Sequence, residues 1–375
     1  MGTGSVRDLL LRVFNQQPVD RIPVSPFIHV NHVKEFFGSH DVDWVVRTPE
    51  VYAHYGFDCI HRNCSLAYDA YGPAGPGWAV ESRQSQSGRD ATTSTRITTP
   101  GGELRYVEQL RWVYEYDAES SVTEYPITSK ADFELLRRYL PPLGPVDATD
   151  IRRAKAAVGD RGVIAPWIQG AFNLVAVYYR KVDELLLDPL IDPDFYHQLM
   201  SFCLERYKGF IQALIDAGAD VLSCGGNIAN GKMLSRDYFR RWILPYEQDL
   251  VRFIQSQGVA VLYHNCGYAR NLMPVYPELG VRAYESLTPP PYGDTVLSEA
   301  VASFGSGTTL LGGIDQLDLL RKGSPAEIES AVRKVLDTVR GRCSFILGTT
   351  DYFNESTPPE KIRLLAEAGH RCGRL

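Results

Sequence analysis

A histidine and a cysteine two residues apart carry the clearest chemical signal in this sequence. His264 and Cys266 end the apolar, strand-like run VAVLYHNC. Residues i and i+2 of an extended chain point the same way, so the imidazole and the thiolate can converge on one atom. Such a nitrogen and sulfur pair suits Zn²⁺, and a catalytic zinc site has three protein ligands and one open position. The alternative explanation, equally open from this motif alone, is a core histidine beside an unrelated cysteine.

The third ligand must come from the end of another strand. Asp351 follows the strand-like segment CSFILG, and Glu285 lies within VRAYES, so both carboxylates are candidates. Each also has an ordinary explanation, because Asp351 could open a turn and Glu285 could be a surface carboxylate before the proline-rich loop that follows it. The residues alone leave both alternatives open.

Other polar residues follow strand-like segments and are further candidates. The predicted catalytic groups are His29, His61 and Glu285, since an unperturbed imidazole has a pKa of roughly 6.5 and can transfer protons near neutral pH. Cys224, at the end of an apolar strand, is explained at least as well by core packing. The predicted substrate-binding residues are Gln169, Cys224, Asn227 and Tyr263.

Short apolar segments that alternate with helical patterns must position these side chains. Such alternation is typical of parallel α/β folds, and eight strands predict a single (β/α)8 TIM barrel over residues 1–375. A doubly wound sheet fits less well because no glycine-rich loop follows the first segment. In a TIM barrel the active site lies at the carboxyl ends of the strands, where the candidates above fall. The eight segments cover residues 22–27, 57–60, 162–168, 219–224, 259–264, 281–286, 308–313 and 343–348.

Two segments add to this pattern. Residues 1–16 predict an N-terminal helical extension and not a secretory signal, because charges interrupt their apolar run. Residues from about 84 to 120 have β-forming residues on both sides of Pro100 to Gly102, which predicts an inserted β-hairpin.

The composition excludes several classes of protein. With 375 residues, 44% hydrophobic and 22% charged, the chain has an ordinary globular composition. A net charge of -6 provides no field for nucleic acid or an anionic membrane surface. No stretch approaches the roughly 20 apolar residues of a membrane span. Seven scattered cysteines favour a reducing compartment over a disulfide framework, so we expect a cytoplasmic location.

Segments spread over almost the whole chain resemble the uroporphyrinogen decarboxylase superfamily, and within it the cobalamin-linked methyltransferases such as the methylcobamide:coenzyme M methyltransferases. The resemblance implies a single TIM barrel and, in the methyltransferase branch, a zinc ion held by H-x-C and a distant cysteine. Those positions are His264, Cys266 and, where the family has the distant cysteine, Asp351. The decarboxylase branch fits less well, because FIHVNHVKEFFG replaces its arginine-bearing motif. The similar segments are RDLLLRVFNQQPVDRIPVSPF, ITTPGGELR, GAFNLV, GADVLSCGGNIANGKMLSRDYFRRWILPYEQDLV, VLYHNCG, LLGGIDQLDLLRKGSPAEI and FILGTTDYFNESTPPEKI.

The carboxylate at position 351 changes what the resemblance implies. A carboxylate in place of a thiolate makes a bound metal harder and more Lewis acidic, which suits an oxygen ligand better than a thiol. The resulting prediction is a methyltransferase acting between a small molecule, such as a methoxylated aromatic, and the cobalt of a corrinoid. The corrinoid (cobalamin) would ride on a separate partner protein, since the sequence has no D-x-H-x-x-G motif.

Two other functions remain open from the sequence. One is a metal-independent decarboxylase or lyase of the same superfamily, and the other is a non-catalytic binding member. Proteins with barrels of this kind often self-associate, so a homodimer is a further expectation.

Overall fold

The computed structural model describes residues 4–375 and contains both parallel and antiparallel strands. The order β12-β11-β10-β9-β8-β7 forms a six-stranded parallel sheet, and β1 pairs with β6 in a second parallel sheet. The strands are β1 (Cys59–His61), β2 (Ala79–Ser87), β3 (Asp90–Thr99), β4 (Gly102–Trp112), β5 (Ala118–Glu124), β6 (Gly162–Ile164), β7 (Trp167–Gln169), β8 (Val221–Gly225), β9 (Ala260–His264), β10 (Ala283–Ser286), β11 (Thr309–Ile314) and β12 (Phe345–Thr349).

Helices connect and cover the parallel strands. Within residues 4–375, none has the length and hydropathy of a membrane span. They are α1 (Val6–Phe14), α2 (Val30–Phe37), α3 (Trp44–Tyr55), α4 (Lys130–Tyr139), α5 (Thr149–Val158), α6 (Ala171–Tyr178), α7 (Val182–Ile191), α8 (Pro193–Asp216), α9 (Arg236–Tyr238), α10 (Leu244–Gln255), α11 (Leu297–Phe304), α12 (Leu319–Lys322), α13 (Pro325–Val339) and α14 (Pro359–Cys372).

The predicted α/β class with parallel strands is confirmed, but two predicted strands are wrong in detail. Residues 22–27 make only an isolated parallel bridge, between Val24 and Leu347, because prolines at 23 and 26 have no amide hydrogen to donate to a ladder. The predicted strand 162–168 is divided by Pro166 into β6 and β7. Proline thus shortens the ladders at these two places.

Single backbone hydrogen bonds link the edges of the two parallel sheets. The N–H of Asp58, just before β1, donates to the carbonyl of Val24. The N–H of the next residue, Ser25, donates to the carbonyl of Leu347 in β12. On the other side, the N–H of Asp220, just before β8, donates to the carbonyl of Ile164 in β6. Backbone hydrogen bonds therefore connect the two sheets on both sides, once through residues 24–25 and once directly from Asp220 to β6.

The inserted segment is larger than the predicted hairpin over about 84–120. Strands β2, β3, β4 and β5 form an antiparallel sheet in sequence order that spans residues 79–124. The predicted turn after Pro100 is present between β3 and β4. The polar residues that precede it form a second hairpin, β2–β3, whose side chains are largely exposed.

The N-terminal helix packs against the parallel strands. Helix α1 covers part of the predicted extension, while residues 1–3 of that segment lie outside the described residues. Ser5 and Asp8 form a capping box at its start. Leu10 is completely buried and clusters with apolar residues of the parallel strands, including Ile60 and Ile346. This helix therefore covers one end of the strand core.

We expect Leu10→Ala to lower the free energy of unfolding by about 2–5 kcal/mol, since it removes a fully buried side chain and leaves a cavity. Urea unfolding followed by circular dichroism measures the loss. Arg12→Ala, at an exposed position of the same helix, loses only a solvent-exposed hydrogen bond to the Pro18 carbonyl; it is the matched control and should change stability by about 1 kcal/mol or less. Equal effects of the two substitutions would contradict the packing of α1 described above.

Candidate metal centre

Three potential metal ligands lie together at the carboxyl ends of β9 and β12. His264 is the last residue of β9, Cys266 lies two residues beyond it, and Asp351 lies two residues beyond β12. One ligand atom from each residue lies within 4.8 Å of the other two. His264 is buried, whereas Cys266 and Asp351 are partly exposed. Nitrogen, sulfur and oxygen donors in such a group match the ligand types of a zinc site with an open position.

A carboxylate orients the imidazole of His264. Parallel pairing places Glu285 of β10 opposite His264 of β9. The distance from Glu285 Oε1 to His264 Nδ1 is 3.0 Å. An ionised carboxylate can only accept, so Nδ1 carries a hydrogen and Nε2 is the nitrogen that can bind a metal once its own proton is displaced.

An arginine holds that carboxylate in turn. Arg62, the residue after β1, donates from Nη1 and Nη2 to the two carboxylate oxygens of Glu285, each at 2.6 Å. Both side chains are buried, so the ion pair is shielded from water. Burial alone would raise the pKa of Glu285, but the charge of Arg62 and the hydrogen bond from His264 lower it to about 2.

Glu285 is therefore a positioning group, and its predicted catalytic role does not fit the structure. An ionised, doubly hydrogen-bonded carboxylate has no proton to give near neutral pH. Burial lowers the pKa of His264, but hydrogen bonds to Cys266 and Glu285 outweigh it and raise that pKa well above its usual value. The same negative charges favour a divalent cation, which competes with the proton for the imidazole.

The three ligands face a cavity of about 440 Å³ with aromatic walls. The rings of Phe27 and Trp167 are nearly parallel, 14° apart, with centroids 6.4 Å from each other. On the same wall surface, the rings of His29 and Tyr352 lie 5.0 Å apart. Trp44 adds another aromatic side chain. The cavity therefore suits a planar, largely apolar ligand.

Two more of the predicted site residues line this cavity, in addition to His264, Cys266 and Asp351. His29 caps the start of α2 and its Nδ1 lies 3.3 Å from Asn31 Oδ1. Burial lowers the pKa of His29, so its imidazole is neutral near pH 7. Asn227, in the loop after β8, accepts a hydrogen bond from the Asn173 amide at 3.0 Å.

His61 belongs to the core, which differs from its predicted role in proton transfer. The side chain is completely buried, its Nε2 donates to the Val45 carbonyl at 2.8 Å, and its Nδ1 accepts from the Asn63 N–H at 3.2 Å. Burial lowers the pKa of His61 to about 4. Both ring nitrogens are thus committed to the backbone.

The other predicted substrate-binding residues also lie outside the cavity wall. Cys224 is fully buried, and burial raises the pKa of its thiol well above the usual value, so it is a packing residue. Tyr263 is completely buried and packs directly against Gly226, where any side chain would clash with its ring. Gln169 ends β7 and is partly exposed.

Residues outside the predicted catalytic, substrate-binding and metal-binding sets also shape the site. They are Arg62, which holds Glu285, and the aromatic residues Phe27, Trp44, Trp167 and Tyr352. A signal for Arg62 was present, because it comes directly after His61, the last residue of β1, and neighbouring residues of an extended chain point to opposite sides.

Comparisons with known proteins identify the family. The sequence model of the family described as Uroporphyrinogen decarboxylase (URO-D) matches residues 110–372. The chain belongs to this uroporphyrinogen decarboxylase family. The matched region includes all three clustered ligands, His264, Cys266 and Asp351.

Individual relatives fall into two groups. Methylcobamide:CoM methyltransferase MtbA of Methanosarcina mazei is 24% identical over 350 residues, which cover 88% of each chain. Uroporphyrinogen decarboxylase of Mycobacterium sp. strain KMS is 25% identical over 259 residues, covering 66% of this chain and 72% of the relative. A solved structure, a methyltransferase from Methanosarcina mazei, has a TM-score of 0.69 at 17% identity and covers 98% of this chain and 99% of its own. This similarity shows a shared fold.

Acidification should destabilise the protein partly through His61. Because its pKa is about 4 when folded and roughly 6.5 when unfolded, protonation below pH 6.5 favours the unfolded chain. The stability is present above pH 6.5 and is lost as the pH falls towards 4. Urea unfolding at pH 7 and pH 4.5 measures how far the free energy of unfolding falls on acidification. That decrease should be smaller by about 2 kcal/mol in His61→Gln than in the wild type.

The exposed His197→Gln is the matched control and should keep the wild-type pH dependence. An unchanged pH dependence in His61→Gln would contradict a buried, neutral imidazole.

Proposed function

We propose that this protein transfers a methyl group between a small O-methylated aromatic molecule and the cobalt of a corrinoid carried by a separate protein, at a Zn²⁺ ion held by His264, Cys266 and Asp351. The observation that carries this proposal is the convergence of the three ligand atoms, within 4.8 Å, on an aromatic-walled cavity. The proposal includes closure of the parallel strands into one (β/α)8 barrel over the whole chain. The hydrogen bonds at both edges of the two parallel sheets support that closure.

The donor set fits zinc chemistry. Glu285 holds Nδ1 of His264, so Nε2 is the nitrogen left for a metal that displaces its proton, and the partial exposure of Cys266 and Asp351 leaves room for a fourth ligand from the cavity. A thiolate and a carboxylate together neutralise a divalent cation. When bound, Zn²⁺ would polarise the aryl oxygen and stabilise the phenolate that leaves when the methyl group is transferred.

The side chains of the cavity account for binding and proton handling. Phe27 and Trp167 offer ring faces on which an aromatic substrate can stack and from which water is excluded. His29 has a neutral imidazole near pH 7, so it accepts the proton of a phenol in the direction of methylation. In the direction of demethylation the leaving phenolate would take its proton from water, relayed by the same imidazole.

The charges around the cavity support a neutral ligand. Arg62, the guanidinium in the cavity wall, is already neutralised by Glu285. A substrate with several carboxylates would instead meet Cys266 and Asp351, neither of which carries a positive charge to pair with it unless a metal is bound. This arrangement supports methyl transfer over the metal-independent decarboxylase that the other relatives suggest.

The name of one relative supports the choice of methyl carrier. Methylcobamide:CoM methyltransferase MtbA acts, by its name, on a methylated corrinoid, and it matches this chain over 88% of its length. Asp351 argues for an oxygen atom in place of the CoM thiol, because a carboxylate ligand gives a harder metal than a thiolate ligand. The absence of a D-x-H-x-x-G motif from the sequence supports a separate corrinoid protein.

The metal site predicts stoichiometric zinc binding. Metal-free protein titrated with Zn²⁺ against a chromophoric chelator should bind one equivalent, and His264→Ala and Cys266→Ser should each weaken binding at least about 100-fold through the loss of a ligand. Cys343→Ser, a partly exposed cysteine away from the cluster, is the matched control for Cys266→Ser and should bind as the wild type does. Equal binding by all four proteins would refute the site.

The reaction can be assayed directly. With a panel of methoxyarenes and a corrinoid protein reduced to Co(I), the enzyme should break the methyl–oxygen bond, releasing a phenolate and leaving the methyl group on cobalt, now Co(III). Asp351→Asn should slow this transfer at least about 100-fold, because the amide is a poor zinc ligand. The absorbance change of the corrinoid and chromatography of the phenol measure it.

Two results would favour the other functions. Release of CO2 from carboxylated substrates without metal would indicate a decarboxylase. Tight ligand binding with no methyl transfer and no CO2 would indicate a binding protein.

A further inference from the structure

A carboxylate from the inserted sheet reaches the cavity wall. Asp117 ends the loop of residues 113–117 between β4 and β5, and it is only 6% exposed. A buried carboxylate needs a compensating hydrogen bond or charge. The hydroxyl of Tyr352 donates to Asp117 Oδ2 at 3.4 Å. The two residues are 235 positions apart in the sequence, so this contact joins the insertion to the segment after β12.

A second connection joins the same two segments. The carboxylate of Glu355 accepts hydrogen bonds from the backbone N–H groups of Tyr116, at 2.5 Å, and Glu115, at 3.2 Å. A charged acceptor makes such bonds stronger than neutral ones. The loop 113–117 and the segment 351–355 are thus joined by one hydrogen bond between side chains and by two from backbone N–H groups to a carboxylate.

The anchored tyrosine is directly linked to a candidate metal ligand. The Tyr352 N–H donates to Asp351 Oδ1 at 2.8 Å, and the Asp351 N–H donates to Gln316 Oε1 at 3.2 Å. The orientation of the Asp351 carboxylate therefore depends on where the backbone of Tyr352 lies. That backbone position depends in turn on the contact of the tyrosine side chain with Asp117.

We propose that Asp117 is a positioning residue for the metal centre, which acts by fixing Tyr352 and, through it, the carboxylate of Asp351. The inference rests on the proposed function, because it concerns the ligand set of that site. It gives the inserted sheet a role that neither the family nor the sequence pattern assigns to it. Partners of metal ligands typically change metal affinity about 10–100-fold when they are removed.

The test uses Co²⁺, whose visible absorbance reports both affinity and coordination, titrated into the full-length protein without substrate. Asp117→Ala and Tyr352→Phe should each weaken Co²⁺ binding about 10-fold and alter the spectrum. Asp117→Asn keeps an acceptor for the tyrosine hydroxyl and should stay within about 3-fold of the wild type. The double variant should bind no more weakly than either single variant, because both changes break one connection.

The controls separate this inference from the metal site itself. Glu124→Gln, an exposed position in the same sheet, should leave binding and spectrum unchanged. If His264→Ala abolishes binding while Asp117→Ala and Tyr352→Phe bind as the wild type does, Asp117 has no positioning role. If His264→Ala also binds as the wild type does, the metal site is wrong and this inference with it.

Asp117→Ala removes a buried group and its folding must be checked by circular dichroism. Tyr352→Phe deletes one hydroxyl and keeps the ring, so it decides the question if Asp117→Ala does not fold. Weaker Co²⁺ binding by a folded Tyr352→Phe supports the proposal, and unchanged binding overturns it.

Discussion

The site depends on the buried ion pair between Arg62 and Glu285. Removing two charges from water costs several kcal/mol for each ion, so such a pair persists only with well-aligned hydrogen bonds. Arg62 satisfies both oxygens of Glu285, and Glu285 then orients His264. Loss of the arginine would leave an uncompensated buried carboxylate beside the imidazole. The pair therefore fixes His264, the buried member of the cluster, in surroundings that exclude water.

The more exposed ligands are held in a different way. Cys266 follows β9 by two residues and is positioned by the strand that also carries His264. Asp351 lies beyond its strand and relies on the N–H of Tyr352 and the side chain of Gln316. Burial thus fixes the histidine side of the cluster, whereas contacts between loop residues fix the aspartate side. A site of this kind can keep its nitrogen and sulfur donors while the oxygen donor is varied.

The sequence predicted what depends on local pattern. The i and i+2 spacing of His264 and Cys266 placed both at one strand end, and the position of Asp351 after an apolar segment brought it into the same group. The pairing of Arg62 with Glu285 could not be predicted, because it depends on side chains 223 residues apart. His61 and Arg62 were hard to separate because one ends β1 and the other follows it directly, and only the fold decides which side chain faces the cavity. The size of the inserted sheet was missed because β2 has mostly exposed polar residues and lacks apolar alternation.

The site draws on residues from nearly the full length of the chain, from Phe27 through Arg62 and Asp117 to Asp351. These groups come together only in the folded chain, so a metal bound at the proposed site would not nucleate folding as it does in small zinc domains. A cation that binds only the native state stabilises it by mass action, in proportion to the logarithm of its free concentration. The free metal concentration would then affect how long the folded chain survives proteolysis, as well as whether the proposed metal site is occupied.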